Sequence, residues 1–344
     1  MYHITGFCKY AVLTALAFVF LLSVAPQAHA WGDFTTKHTI YVGCTGVSPN
    51  YVDLPPAVAA AKPYTLITVC PGTYSGGSVS TTDHLKIKGK GTAKGVVVDC
   101  NNQVGQTGIE IEAAHDFVDN LTVQNCPVYG VEITNQDLGF VQNVDSRVLN
   151  SLFNNNGTAV SVTQCDQCQV TSNQVSVADT EYGIEDDYTT GDIISGNKVD
   201  CGGHTNGTDG LYIVADAKAT VTGNTAQKCE YGFEFNTNAD SKFSDNTAHG
   251  NVEGFYFDAD NINNLFQGNT ANNNTDDGVF LNTPNGADVV PNAPPNKFEK
   301  NTAKGNGSFD LQDGTFGCGL TDNTCNIWHQ NKATVCNPSS ICAD

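Results

Sequence analysis

Gly210-Leu211-Tyr212-Ile213, Gly232-Phe233-Glu234-Phe235 and Gly254-Phe255-Tyr256-Phe257 are one four-residue phrase written three times. Each reads glycine, apolar, variable, apolar. Working outward, the phrase recurs as Gly108-Ile109-Glu110-Ile111, Gly130-Val131-Glu132-Ile133, Ala159-Val160-Ser161-Val162 and Gly183-Ile184-Glu185-Asp186. It continues as Gly278-Val279-Phe280-Leu281 and closes as Ser308-Phe309-Asp310-Leu311. The interval is about 22 to 30 residues, the period of a solenoid repeat. Alternation of period two marks a short strand with one buried face.

A second phrase runs in phase with the first. Asn224-Thr225-Ala226, Asn246-Thr247-Ala248, Asn269-Thr270-Ala271 and Asn301-Thr302-Ala303 carry it, with Asn173 and Asn197 as earlier members. Stacked asparagines at one corner can hydrogen-bond the backbone and the next asparagine, filling a turn that would otherwise hold unpaired polar groups. No single coil can bury its apolar edge, so each does so against its neighbours. The missing leucine framework excludes a leucine-rich repeat, and a propeller needs longer blades. The reading is an all-β, single-stranded parallel β-helix.

Other residues carry a family resemblance. Thr68-Val69-Cys70-Pro71-Gly72-Thr73-Tyr74, followed by Leu85-Lys86-Ile87-Lys88-Gly89, resembles the opening coils of right-handed parallel β-helix proteins of the pectate-lyase-like superfamily. Asp53-Leu54-Pro55-Pro56-Ala57-Val58-Ala59-Ala60-Ala61 looks like the small helix that caps their first coil, with Asp53 as N-cap and proline in the first turn. The resemblance covers roughly residues 38 to 312. It implies a right-handed coil and a superfamily of pectate lyases, polygalacturonases, alginate epimerases and lyases, tailspikes and non-enzymes.

Composition narrows the function. The chain of 344 residues has 16 Lys plus Arg against 36 Asp plus Glu, a formal charge of −20. That field repels nucleic acid and anionic membrane, which need a basic footprint. A hydrophobic content of 40% excludes a disordered acidic chain. Lys9, the apolar run Ala11 to Val24 and Ala28-His29-Ala30 read as a secretory signal over 1–30, cleaved before Trp31. The expected product is a secreted, extracellular or periplasmic monomer with no membrane contact. It divides into an N-terminal strand and helical cap over 31–65, the β-helix over 66–312 and a Cys-rich C-terminal cap over 313–344.

Of 13 cysteines, Cys8 leaves with the signal, and an even number in an exported chain reads as disulfides. Sequential pairing (44–70, 100–126, 165–168, 201–229, 318–325, 336–342) is the working expectation. Cys165-Asp166-Gln167-Cys168 lacks the second pair of a zinc site and reads as a small structural loop, so no metal ligand is assigned. Asn326-Ile327-Trp328 reads as a last partial coil, with Trp328 closing the core.

Between the two inward residues of each phrase one side chain points outward. That column reads Glu110, Glu132, Ser161, Glu185, Tyr212, Glu234, Tyr256, Phe280 and Asp310, acids interleaved with aromatics. Aromatic faces stack on sugars, and carboxylates accept sugar hydroxyls or transfer protons. The competing reading is a solvated face whose rings stack on one another. Asp186 breaks the inward column and sits between Glu185 and Asp187. A buried carboxylate must be neutral, paired, metal-bound or turned outward, and crowded acids push their pKa values apart. The alternative is a loop leaving the coil at Asp186.

The candidate catalytic set is therefore Asp186, Asp187, Glu185 and His204. The candidate sugar contacts are Tyr212, Glu234 and Tyr256, with Arg147, the lone arginine, as contact or ion-pair partner. Set against the superfamily, Asp186-Asp187 and Gly203-His204 match part of the polygalacturonase pattern, without its Asn-Thr-Asp or Arg-Ile-Lys. Tyr182-Gly183-Ile184-Glu185-Asp186-Asp187 begins like an epimerase motif and lacks its Pro and His. The expectation is an exported protein that contacts polysaccharide, as a hydrolase or as a non-catalytic glycan-binding or structural β-helix. A calcium-dependent polyuronate lyase or epimerase is the third choice. No cofactor is required, and calcium is compatible with the acids.

Overall fold

A computed structural model describes residues 35–134, 143–177, 182–203, 207–258, 261–282, 295–314 and 326–342. Residues 1–34, where the signal is expected, His204 and the pair Cys318 and Cys325 lie outside the described residues. Among those described, three long parallel sheets run side by side along a solenoid of about eleven turns. Sheet A has thirteen strands, sheet B ten and sheet C eleven. Each coil contributes one strand to each sheet in turn. In one coil Ile193–Ser195 lies in A, Lys198–Asp200 in B and Asp209–Val214 in C.

The glycine phrase builds sheet C. Leu211, Tyr212 and Ile213 pair with Phe233, Glu234 and Phe235, which pair in turn with Phe255, Tyr256 and Phe257. The outer two of each triplet are buried and the middle one is half-exposed. The leading glycine answers a close approach between coils. A Cβ on Gly210 would sit 2.4 Å from the Gly232 carbonyl oxygen, and one on Gly254 would sit 2.3 Å from that of Gly278. The core between the sheets is aliphatic early and aromatic late. Phe233, Phe235, Phe243, Phe255, Phe266 and Phe298 are fully buried, and Trp328 stacks on Phe298 at 4.3 Å as the partial coil requires.

One expected phrase is displaced. Gln312, not Asp310, stands opposite Phe280, so the last phrase begins at Asp310 and its strand is Leu311–Asp313. Asp310 is buried where it accepts from the Asn306 Nδ2 amide and the Thr334 backbone N–H.

The asparagine phrase forms a ladder at the corner between sheets A and B. It runs Asn173, Asn197, Asn224, Asn246, Asn269, Asn301 and Asn331, each amide donating to the next Oδ1 at 2.9–3.1 Å. Every Nδ2 from Asn173 to Asn331 also reaches a backbone carbonyl, such as Ile194 O from Asn224. These rungs satisfy turn backbone that water cannot reach. A second ladder, Asn251, Asn274 and Asn306, lies at the corner between B and C.

Five disulfides join described residues, and all follow the sequential pairing. Cys44–Cys70, Cys100–Cys126 and Cys201–Cys229 span 26 to 28 residues and so tie neighbouring coils. Cys165–Cys168 and Cys336–Cys342 close short turns. The helix Leu54–Ala59 has the N-cap expected of Asp53, whose Oδ1 accepts from the Leu54 N–H at 2.9 Å. Strand His38–Val42 already pairs in parallel with Thr65–Val69, so sheet A begins before residue 66. No helix among the described residues is long and apolar enough to cross a membrane.

Candidate functional site

Three surfaces bear on function: the outward face of sheet C, the corner between sheets C and A, and the outward face of sheet B. On sheet C the backbone register gives the column Glu110, Glu132, Ser161, Glu185, Tyr212, Glu234, Tyr256, Phe280. A second column, missed in the sequence, holds Tyr182 opposite Asp209 and Tyr231 opposite Glu253. The rings stack across these columns. Tyr182 lies on Tyr212 at 4.5 Å, and Tyr231 on Tyr256 at 4.5 Å. Much of the aromatic surface offered to a sugar is thereby spent on neighbouring rings.

Crowding sets the charge of this face. Burial, then the charges of Glu110 and Glu185, raise Glu132 to about 7. Burial and the neighbouring Asp277 raise Glu253 to about 8, and burial with Glu234 beside it raises Asp209 to about 9. Burial also raises Glu234 and lifts the Tyr212 and Tyr256 phenols to about 12. Several of these acids therefore hold protons near neutral pH, and the face is less negative than its composition states.

The acidic triplet is divided by the strand Tyr182–Asp187. Glu185 and Asp187 point outward and are half-buried, and Glu185 Oε2 accepts from the Ser161 hydroxyl at 2.9 Å. Asp186 continues the inward column between Val162 and Ile213 and has no exposed surface. The chain does not leave the coil there, and Asp186 cannot touch a polymer outside it. Burial and then the charge of Asp192 hold the Asp186 carboxyl well above the usual range.

Asp192 and Asp216 face Asp186 at the corner and were not singled out in the sequence. Both are buried, as is Thr189. Asp192 Oδ1 accepts from the Cys168 N–H at 2.8 Å, and Asp216 Oδ1 from the Thr189 N–H at 3.0 Å. As carboxylates, Asp186, Asp192 Oδ2 and Asp216 Oδ2 leave one another and the Thr189 hydroxyl unpaired, whereas with protons held between them Asp186 hydrogen-bonds Asp192, Asp216 and Thr189. Beside them, Cys165 Sγ, Cys168 Sγ and an Asp192 oxygen lie within 4.8 Å of one another.

Arg147 stands elsewhere. It is buried on sheet A, where Nη2 and Nε meet Asp145 Oδ1 at 2.6 and 2.9 Å and the guanidinium covers the Phe117 ring at 5.0 Å. It is an ion-pair partner whose side chain is 8% exposed.

Sheet B carries a groove of ≈ 540 Å³ that crosses several coils. Its floor includes Thr122, Gln124, Asn154, Gln174, Lys198 and Gln227. Gln124, Asn154, Ser176, Asp200 and Gln227 stand opposite one another in a single column. The lining sets amides and hydroxyls beside Val97, Leu152, Val175 and Val199, with two lysines and one acid, Asp200, which accepts from Gln227 Nε2 at 2.6 Å. The sequence holds its signal, the residue after the Asn-Thr-Ala phrase, but not the concavity.

Among solved structures the fold is similar to pectate lyase Pel9A at TM-score 0.60 and 14% identity, over 88% of this chain and 80% of that one. It is similar to the GH136 lacto-N-biosidase from Eubacterium ramulus at TM-score 0.57 and 13% identity, over 86% and 67%. DFA-IIIase from Arthrobacter chlorophenolicus A6 matches at TM-score 0.54 and 12% identity, over 86% and 90%. At such identities the likeness is one of fold, the parallel β-helix. No curated protein matches the sequence. The family described as "Periplasmic copper-binding protein (NosD)" matches over residues 73–235 and 202–308. Those two matches cover most of the coils just described, and the chain belongs to the NosD family.

Proposed function

We propose that this protein is an exported β-helix that holds an extended polysaccharide along the groove of sheet B, without cleaving it. The observation that carries the reading is the groove itself. Its amides and hydroxyls repeat at the strand spacing and match a hydroxyl-rich polymer, and Lys94 and Lys198 admit uronate as well as neutral sugar. Tyr212, Glu234 and Tyr256 on sheet C become a second, weaker contact, since their rings are engaged with one another. Export through residues 1–30 fits the disulfides and the periplasmic family description. Right-handed winding fits the strong preference of parallel crossovers for that hand.

The test is a glycan array followed by calorimetry, with Gln174→Ala/Gln227→Ala beside the wild type. Binding lost in the variant at an unchanged melting temperature supports the groove. Equal binding sinks it. Release of reducing ends by the wild type, with or without calcium, would restore the hydrolase reading, with Glu185 and Asp187 as its acids.

A second reading follows the family's description and concerns copper. Copper(I) prefers thiolate or thioether ligands, and copper(II) prefers imidazole. The chain's one methionine is Met1. Among the described residues the group of three donors within 4.8 Å is Cys165, Cys168 and Asp192. Joined as a disulfide these sulfurs carry no thiolate, whereas the reduced pair fits copper(I).

A further inference from the structure

The strand register exposes an insertion at the corner between sheets A and B. Lys88 stands opposite Asp119 on sheet A, and Val97 opposite Thr122 on sheet B. The chain takes three residues from Asp119 to Thr122 but nine from Lys88 to Val97. The three-residue step recurs from Thr171 to Gln174, Ser195 to Lys198 and Thr222 to Thr225. Residues 90–95 are therefore six extra residues at this one corner. They form a fixed loop. Asn120 Nδ2 donates to the Gly89 and Gly91 carbonyls, both at 2.9 Å, and the Thr122 hydroxyl to that of Ala93 at 3.0 Å. The Gly95 N–H closes the turn on the Thr92 carbonyl at 2.9 Å. Lys90 and Lys94 stand exposed on it.

The loop sits where the groove stops. Lys94 and Val97 are the first lining residues, although sheet B continues by one more strand, Gly72–Ser75, which lines nothing. At the other end Thr225 is followed in its column by Thr247, Thr270 and Thr302 across three-residue corners, so a polymer can run on. Charge follows the same polarity. Residues 35–100 hold six lysines and three aspartates, whereas residues 101–344 hold nine basic residues and 32 acids, so an anion is drawn to this end. Among the described residues Lys94 and Lys198 enter no ion pair, and the one acid of the lining, Asp200, is matched by Lys228 Nζ at 3.0 Å. We propose that residues 90–95 are a chain-end stop: a polysaccharide lies in the groove with one terminus against this loop, and an anionic group on its terminal sugar pairs with Lys94. The proposal rests on the groove reading above and names the end and the charge of the polymer. A carboxylate or a sulfate supplies that charge.

The experiment titrates the mature protein, by calorimetry at low salt, with oligogalacturonates, sulfated cello-oligosaccharides and plain cello-oligosaccharides of increasing length. A stopped groove fits one terminus only, so wild type is expected to bind as one protein per chain at every length. An open groove would load more proteins on longer chains. At least one acidic series is expected to bind more tightly than the neutral one, and which of them does so tells carboxylate from sulfate. Lys94→Gln should keep one protein per chain and loosen that acidic series about tenfold relative to the neutral one, the loss of a charge-assisted hydrogen bond. Deletion of residues 90–95 gives this corner the three-residue step of its neighbours and should let the number of proteins per chain grow with length. The wild-type arm needs no variant to fold. Wild type that already loads in growing number along longer chains overturns the stop while the groove reading stands. Equal loosening of acidic and neutral series in Lys94→Gln, or none in either, overturns the anion contact. No glycan bound at all, or binding that Gln174→Ala/Gln227→Ala leaves intact, overturns the groove and the stop with it.

Discussion

The corner between sheets C and A shows one position solved in two ways. In the later coils it holds Asn238, Asn261 and Asn264, and in the earlier coils Asp216, Asp192 and the Cys165–Cys168 bond. Asn238 Oδ1 accepts from the Asp216 N–H at 3.2 Å, and its Nδ2 donates to the Ile213 carbonyl at 2.9 Å. Asp216 repeats the first half with the Thr189 N–H. It cannot repeat the second half as a carboxylate. Its Oδ2 stands where an amide would donate, in the register that places Asp186 beside Ile213. Asparagine is self-complementary along the stack, whereas aspartate is complementary only with a proton or a cation. The later coils are thus a pure scaffold. The earlier ones hold a carboxyl cluster, Asp186, Asp192 and Asp216, whose members bond one another only while they keep protons.

The largest expected effect comes from putting the acid into the scaffold. Asn246→Asp, in the unbroken ladder between Asn224 and Asn269, removes a buried donor and adds a charge. It should cost about 3–5 kcal/mol, read as a fall in the urea midpoint at pH 7. A cost near zero would mean the ladders tolerate carboxylates anywhere, and the comparison would lose its meaning.

A smaller effect is expected from pH, and it sharpens the contrast between the outward acids and the uncharged ladders. Glu132 and Glu253 are raised to about 7 and about 8, mainly by burial. A carboxyl raised in the folded state binds more protons there than when unfolded. Its stabilising share is complete below the unfolded value and is lost as pH rises through the folded one. The melting temperature should therefore fall between about pH 4.5 and pH 8, and Glu132→Gln should flatten part of that slope. A melting temperature that rises over this interval contradicts the account of the sheet C face.

The smallest effect tests the stacked rings. Tyr212→Leu removes the contact with Tyr182 and should cost about 0.5–1.5 kcal/mol. Glycan binding in the groove should be unaffected.

Much of the fold is legible in the chain because it repeats. A glycine in most coils, an asparagine in each coil from Asn173 onward and paired cysteines each declare a column, and the structure places them in columns. The failures have local causes. Asp310 was assigned the place of Gln312 because Ser308-Phe309-Asp310-Leu311 imitates the phrase, while Asp310 in fact ends the ladder below Asn306. Asp186 left two readings open because alternation does not say whether a strand bends. Asp192 and Asp216 carry no sequence signal, since their partnership arises from residues a coil apart. Arg147 stood near the triplet by count of coils but on another sheet in space. The groove of sheet B depends on curvature, which a period does not encode.

The most direct test of the corner comparison is the substitution that turns the acid back into the rung. Asp216→Asn gives the corner an amide that can donate to the Asp186 carbonyl, as Asn238 donates to that of Ile213. Equilibrium unfolding at pH 7.5 should show the variant more stable than wild type by about 1–3 kcal/mol, the cost of a buried unsatisfied polar group. A variant less stable than wild type would show that the protonated pair of Asp216 and Asp186 holds this corner better than an amide rung does, and would contradict the reading of the acid as the costlier solution.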